Sequence, residues 1–115
     1  MAAFSISAPS PSSAIISTPG QVTLNFDVSG NPDPIKLTYH LNSGNNLFFK
    51  LADGSEVKEI TQNFNLQNSP KSFSDILTIV KSGNNPNFSL GFINIDGIDT
   101  ANNDPDSQQF TVHFS

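Results

Sequence analysis

The sequence predicts an all-β fold: an antiparallel β-sandwich of about seven to eight strands with Greek-key connections, formed by residues 1–115 as a single domain. Three observations predict it. Apolar and polar residues alternate along several short segments. Residues that form turns separate those segments. The chain has 115 residues, of which 36% are hydrophobic and ten are Phe, and this amount suits one modest core.

Strict alternation is clearest in three segments, residues 21–28, 35–41 and 110–114. In each of them, every second residue is apolar and the residues between are polar. Because successive side chains of a strand point to opposite faces, the apolar set lies on a buried face and the polar set in water. These segments therefore predict three strands, and Tyr39 belongs to the buried set of the second.

Residues 47–51 and 59–66 are also predicted to be strands, with Phe48 facing opposite to the other apolar residues of its segment. Residues 88–95 alternate as well, but the apolar set changes parity near the middle of the segment. A slip of this kind indicates a bulge or a strand that is buried on both faces.

The N-terminal segment contains two short apolar stretches, residues 4–6 and 14–16, separated by Pro9 and Pro11. Proline is tolerated in edge strands and breaks central ones, so this segment predicts an edge strand in two parts. We also expect residues 47–51 to lie at a sheet edge, where a charged residue discourages pairing with another chain.

Residues 70–82 fit two patterns. Ser69 as the N-cap, Pro70 as the first helical residue and Gly83 as the stop satisfy a helical template. The β-branched residues within 76–80 favour an extended strand instead, and every other element of the chain is a strand. We therefore predict a strand here, with a helix as the alternative.

Turn residues connect these elements. The tripeptide Ser-Gly-Asn begins at Ser29, Ser43 and Ser82, and Asp53-Gly54 and Asp96-Gly97 add two turn dipeptides. Together, the strands predict core positions at Phe26, Leu37, Leu77, Leu90 and Val112.

The alternating strand 21–28, the run 73–80, the paired segments 88–95 and 109–114, and the order of lengths between them resemble known bacterial modules. These are the immunoglobulin-like and fibronectin-type-III-like sandwich modules of multidomain proteins. The resemblance covers most of the chain at the level of pattern. It implies an immunoglobulin-like Greek key and a module that works beside other domains.

The composition excludes several classes of protein. Five Lys and no Arg stand against ten acidic residues, and the net charge of −5 leaves no basic face for nucleic acid. The absence of Cys excludes a disulfide scaffold and a thiolate metal site. No apolar run approaches the roughly 18 residues of a transmembrane helix, and residues 1–5 do not begin a signal peptide. From the abundance of Ser, Thr and Asn we expect an extracellular or cell-surface location.

The candidate catalytic residues do not predict an active site. His40 and His113 fall on the polar side of predicted strands, and we interpret both as parts of a solvated face. In an immunoglobulin-like arrangement their strands flank residues 88–95, which separates the two His by about 10 Å, too far for a shared metal. Glu56 and Glu59 follow a turn with no sign of burial, so we interpret them as surface carboxylates.

The acidic segment 96–106 indicates a chemistry other than catalysis, the binding of Ca²⁺. Ca²⁺ takes about six to eight oxygen ligands, and loops at the end of a sandwich can supply them. A solvated loop rich in turn formers is the alternative. A second acidic turn, residues 31–34, lies either at the same end or at the opposite one. The candidate Ca²⁺ ligands are Asp96, Asp99, Asn103, Asp104 and Asp106.

These observations predict a non-enzymatic structural or interaction module, a spacer or adhesion domain, of a larger exported protein. The alternatives are a Ca²⁺-dependent binding module that uses residues 96–106 and a carbohydrate-binding module in which Phe48 is the outward aromatic. No cofactor is expected apart from Ca²⁺ in the first alternative. The expected partners are other proteins or neighbouring domains of the same chain, without nucleic acid or membrane, and we expect a monomer in isolation.

Overall fold

The computed structural model describes residues 3–17, 20–42, 47–81 and 90–114. The described chain contains strands and turns and no helix. The strands, in chain order, are β1 (Ser5–Ile6), β2 (Ser13–Ile16), β3 (Gly20–Ser29), β4 (Pro34–Leu41), β5 (Leu47–Lys50), β6 (Glu56–Val57), β7 (Glu59–Asn65), β8 (Lys71–Lys81), β9 (Leu90–Asp99) and β10 (Asp104–Phe114).

Two five-stranded sheets pack against each other. The first sheet has the order β1-β3-β8-β5-β6, and the second has the order β2-β10-β9-β4-β7. Neighbouring strands are antiparallel except for β2 and β10, which run parallel from Ser13 opposite Thr111 to Ile16 opposite Phe114. The prediction of purely antiparallel sheets is therefore wrong at this pair, because the N-terminal segment crosses to the second sheet without a hairpin turn.

The core lies between the sheets and follows the alternation of the sequence. Along β3 the apolar residues are buried while the polar residues between them are partly exposed. Among the predicted core residues, Phe26, Leu37, Leu77 and Val112 are buried, which confirms the facing of their strands. The side chain of Leu90 lies outside the described residues.

Residues 71–81 form strand β8, as predicted, and not the alternative helix. Nine consecutive residue pairs join β8 to β3, from Gly20 opposite Ile79 to Val28 opposite Lys71. On this strand Leu77 and Ile79 face the core, whereas Ile76 faces outward with 64% of its surface exposed. A helix would have lost this ladder, which ties the first sheet together at its centre.

The bulge considered for residues 88–95 is wrong over the described part of the segment. The register of β9 against β10 is continuous from Leu90 to Asp99. Ile93 and Ile95 are fully buried, and Asn94 between them is half-buried, so the strand keeps a single inner face.

Residues 96–106 do not form the long loop that we expected. Residues 96–99 belong to β9 and residues 104–106 to β10, and only a tight turn of residues 100–103 joins them. The predicted turn dipeptide at Gly97 is also wrong, because this glycine faces inward within β9. A Cβ atom at this position would lie 2.8 Å from Cζ of Phe4, so glycine lets the N-terminal strand pack closely.

The sheet edges agree in part with the sequence. The N-terminal segment is an edge strand in two parts, since β1 borders the first sheet and β2 borders the second. The predicted edge at residues 47–51 is wrong for Phe49 and Lys50, because β6 pairs with them on the outer side. The other edge of the second sheet is β7.

Candidate functional site

The structure places the five predicted Ca²⁺ ligands in separate surroundings. Asp104 and Asp106 accept hydrogen bonds from the backbone N–H groups of Phe4 (3.0 Å) and Ile6 (2.7 Å), so both carboxylates hold the N-terminal strand. Asn103 lies in the turn with φ of 51°, a conformation that Asn tolerates well, and its side chain is exposed. Asp96 lies on the outer face of the second sheet.

Asp99 is buried and caps the turn between β9 and β10. Its Oδ1 accepts hydrogen bonds from the N–H groups of Ala101 (3.0 Å) and Asn102 (3.2 Å). Among the described residues, no group of three or more His, Cys, Asp or Glu is arranged to hold a metal ion. Ca²⁺ binding by this segment stays a prediction, without a convergent set of carboxylates behind it.

The two acidic turns meet at the same end of the sandwich, a point that the sequence left open. The side-chain N–H₂ of Asn102 donates to Asp33 (2.8 Å) and to Asp99 (3.0 Å). Hydrogen bonding and repulsion by Asp99, with some desolvation, raise the pKa of Asp33. Hydrogen bonds from Asn102 lower the pKa of Asp99. As the pH falls, Asp33 therefore takes up a proton before Asp99 does.

A charged cluster that the sequence did not predict lies on the outer face of the second sheet. We call His40, Glu59 and Asp96 the His40 cluster. Nδ1 of His40 lies 2.9 Å from Oε1 of Glu59, and Nε2 lies 3.2 Å from Oδ2 of Asp96. Strand pairing creates this arrangement, because β4 lies between β7 and β9 and sets His40 directly opposite Glu59.

Polar side chains surround the His40 cluster. Thr38 and Thr61 share a hydrogen bond of 3.1 Å, and Gln109 donates to Asn94 over 3.2 Å. A shallow depression of about 350 Å³ beside the cluster includes Lys58 in its lining. Since each ring nitrogen of His40 faces a carboxylate, the cluster is suited to holding strands together and to polar contacts with a partner.

The other predicted surface residues occupy simpler positions. His113 is exposed on β10, and the strands of His40 and His113 flank β9 as expected. Glu56 and Glu59 are exposed, in agreement with the prediction of surface carboxylates. Phe48 is half-buried on the face opposite to Leu47, and the ammonium of Lys58 lies 4.7 Å from its ring centroid. This ring is therefore partly covered and offers less surface to a sugar than a free aromatic platform.

A second polar cluster lies between the two sheets. We call Tyr39, Gln62 and Asp75 the inter-sheet triad. The hydroxyl of Tyr39 donates to Asp75, and the side-chain N–H₂ of Gln62 reaches Asp75 at 3.1 Å and the Tyr39 hydroxyl at 3.2 Å. Tyr39 is buried, and burial together with the Asp75 carboxylate raises its pKa well above its usual range. The triad joins β4 and β7 of one sheet to β8 of the other.

The sequence contained a signal for the inter-sheet triad but none for the His40 cluster. Asp75 occupies an inward position of the β8 pattern, and Tyr39 occupies an inward position of β4. A buried Tyr hydroxyl and an inward carboxylate each need a partner, so this pair was predictable in principle. The His40 cluster depends on the order and register of three strands, which residue patterns do not specify.

No segment among the described residues forms a helix with the length and apolar character needed to cross a membrane. No known family model matches the sequence, and a search among curated proteins finds no significant match.

Proposed function

We propose that this chain is a non-enzymatic, immunoglobulin-like spacer and interaction module of a larger exported protein. One observation carries the proposal: the sandwich is elongated, and the chain enters at one end and leaves at the other. The molecule measures 49 × 26 × 21 Å. The backbone N–H of Phe4 is bonded to Asp104 at one end of β10, and Phe114 at the other end of β10 pairs with Ile16.

This geometry is suited to joining domains in a row. A chain that continues before Phe4 and after Phe114 leaves the sandwich in opposite directions along its long axis. Tandem modules of this kind would therefore add length to a protein in proportion to their number.

The parallel pairing of β2 with β10 supports a role in transmitting tension. Tension applied through the two ends pulls β2 and β10 in opposite directions along their length. The hydrogen bonds between the strands are then stretched together and not one after another. Four residue pairs join the two strands, from Ser13 opposite Thr111 to Ile16 opposite Phe114.

Two further observations support the immunoglobulin-like and non-enzymatic parts of the proposal. The split N-terminal strand borders both sheets. Strand β9 lies between β4 and β10, the order expected of an immunoglobulin-like arrangement. Each ring nitrogen of His40 already faces a carboxylate, so neither ring nitrogen is open to a nucleophile. The low fraction of charged residues, 13%, and the surface of Ser, Thr and Asn support the exported location.

Single-molecule force spectroscopy tests the proposal. With handles at residues 3 and 114, we expect one unfolding step that lengthens the chain by roughly 330 Å, at about 3.4 Å per residue less the folded length. The control places the handles at residues 3 and 102, which lie at the same end, so that the strands are peeled apart bond by bond. A rupture force between residues 3 and 114 no higher than in the control would contradict the proposal.

A further inference from the structure

Strand β7 is an open edge that is not protected in the way the other edges are. The remaining edges of the two sheets are short, since β1 and β6 each have two residues and β2 has four. Strand β7 has seven residues, contains no Pro or Lys, and carries a single charge, on Glu59. Among the described residues it pairs only with β4. Edges of this length are normally blocked or covered, because their free backbone groups pair readily with another strand.

The register shows which backbone groups of β7 are free. The N–H of Leu41 donates to the carbonyl of Lys58, and the N–H of Leu66 donates to the carbonyl of Asp33. In an antiparallel pair, hydrogen-bonded and non-hydrogen-bonded residue pairs alternate. The even-numbered residues of β7 therefore bond to β4. The odd-numbered residues direct their N–H and C=O groups away from the sheet: Glu59, Thr61, Asn63 and Asn65. Of these groups, the carbonyl of Asn65 accepts a hydrogen bond from the N–H of Gln67 (3.0 Å).

We propose that β7 pairs with β7 of a second copy of this chain, antiparallel and with the two-fold axis at Gln62. This register sets residue 59 opposite residue 65 of the other copy, and residue 61 opposite residue 63. All four residues of each copy then lie in hydrogen-bonded pairs, which gives partners to their four N–H groups and to the carbonyls of residues 59, 61 and 63. The carbonyl of Asn65, already bonded to Gln67, accepts a second hydrogen bond. No other register centred within β7 pairs all four residues.

The side chains of β7 are complementary to themselves in this register. Glu59 lies opposite the neutral Asn65, so the single charge of the strand does not meet its own copy. Ile60 lies opposite Phe64, and both are half-buried residues on the inner face that a second strand would cover. Gln62 lies opposite itself, and its side-chain N–H₂ stays bonded to Tyr39 and Asp75 within each copy. Cross-strand pairs of these kinds stabilise antiparallel sheets.

The resulting dimer has one continuous sheet made from the two second sheets, and its interface is the same patch on both copies. This proposal does not depend on the spacer role. A strictly monomeric protein would overturn the dimer and leave the spacer proposal unaffected. A low rupture force would contradict the spacer proposal and leave the dimer unaffected.

The first experiment combines sedimentation velocity with amide hydrogen exchange, from micromolar to millimolar protein. We expect a shift from monomer to dimer as the concentration rises. The amides of Thr61 and Asn63 should become more slowly exchanging in parallel, since they are exposed in the monomer and bonded in the dimer. A monomer at every concentration, or a dimer in which these amides exchange at the monomer rate, would overturn the proposal.

A matched pair of substitutions at one exposed position tests the register. Asn65→Glu sets two carboxylates opposite each other at both ends of the strand pair, and Asn65→Lys sets an ammonium opposite Glu59 at both ends. We expect the first to weaken and the second to strengthen dimerisation, each by about 2- to 30-fold for two cross-strand pairs. Added salt should reduce the difference between them.

A third variant, Asn63→Pro, removes a free N–H that the monomer does not use and is expected to abolish the dimer. Melting curves at low concentration check that each variant is folded, and their circular dichroism spectra should match the parent. Equal dimerisation of Asn65→Glu and Asn65→Lys, or an Asn63→Pro variant that still dimerises, would place the contact elsewhere and refute this register.

Discussion

Removal of one hydroxyl from the inter-sheet triad, by Tyr39→Phe, tests the account of how the two sheets are joined. The phenol ring of Tyr39 is buried, with 2% of its surface exposed, and it packs edge-on against Phe26 at 6.2 Å between centroids. The substitution preserves this packing. It removes only the hydrogen bond to Asp75 and the acceptor that Gln62 uses.

The expected loss follows from the kind of bond. A hydrogen bond to a charged group contributes about 1.5–3 kcal/mol to stability. Asp75 is only half-buried, and it keeps the bond from Gln62, so the lower end of this range applies. For a chain of this length, about 1.5 kcal/mol corresponds to a decrease in Tm of roughly 6–9 °C.

The same substitution should change the response to alkaline pH. Burial and Asp75 raise the pKa of Tyr39 in the folded protein, whereas the unfolded chain has the ordinary value of about 10. The stability contributed by the folded-state shift is present below pH 10 and is lost as the pH rises above it, by up to about 1.4 kcal/mol per pH unit. The free energies of unfolding of the parent and of Tyr39→Phe should therefore converge near pH 11, about one unit above the unfolded pKa.

Urea unfolding of Tyr39→Phe, Asp75→Asn and the double variant, compared with the parent at pH 7 and pH 11, measures these effects. We expect a coupling free energy of about 1 kcal/mol between the two positions at pH 7, because each single change weakens the same bond. If Tyr39→Phe melts within about 1 °C of the parent, or if the coupling is zero, the triad does not join the sheets as described.

Three further predictions concern the core and the acidic end. Leu37→Ala, at a fully buried position, should lower the free energy of unfolding in urea by about 2–5 kcal/mol. The control Ile76→Ala, at an exposed position, should change it by less than about 0.5 kcal/mol. Equal effects would mean that the side chains of these strands do not face the core and the solvent as described. Asp33→Asn should raise Tm at neutral pH, because it relieves the repulsion from Asp99. This gain in Tm should vanish as the pH falls toward 4, since protonation of Asp33 in the parent removes the same repulsion. A gain in Tm that is independent of pH would contradict this explanation. Melting curves in millimolar Ca²⁺ and in chelator should coincide, because the carboxylates of residues 96–106 face separate partners; an increase in Tm of several degrees with Ca²⁺ would show that this segment binds the ion.

The sequence by itself determined which segments are strands and which side chains of each strand face the core. Alternation is a local property, because the pleat sends successive side chains to opposite faces whatever the neighbouring strand is. For this reason Phe26, Leu37 and Val112 were predictable as core residues, and residues 71–81 as a strand. The two-part N-terminal edge followed in the same way from the positions of Pro9 and Pro11.

Composition misled where residue types serve two purposes. Asp, Asn and Gly are frequent both in turns and in metal-binding loops, so the sequence of residues 96–106 predicted one long acidic loop. In the structure most of them extend β9 and β10, and Gly97 serves close packing against Phe4 and Ile6. Two carboxylates of this segment, those of Asp104 and Asp106, accept hydrogen bonds from the backbone N–H groups of Phe4 and Ile6, which lie 100 positions away in the chain.

Only the tertiary structure decided which strands border each sheet, the parallel pairing of β2 with β10, and the surroundings of His40. These depend on which strands become neighbours and in what register, and the free energy of that choice comes from contacts between residues far apart in sequence. The polar residues of β4, β7 and β9 appear in the sequence as three separate solvated faces. The second sheet brings some of them together as the His40 cluster. It also leaves the odd-numbered residues of β7 without a partner strand among the described residues, because a sheet has an edge only once it has been assembled.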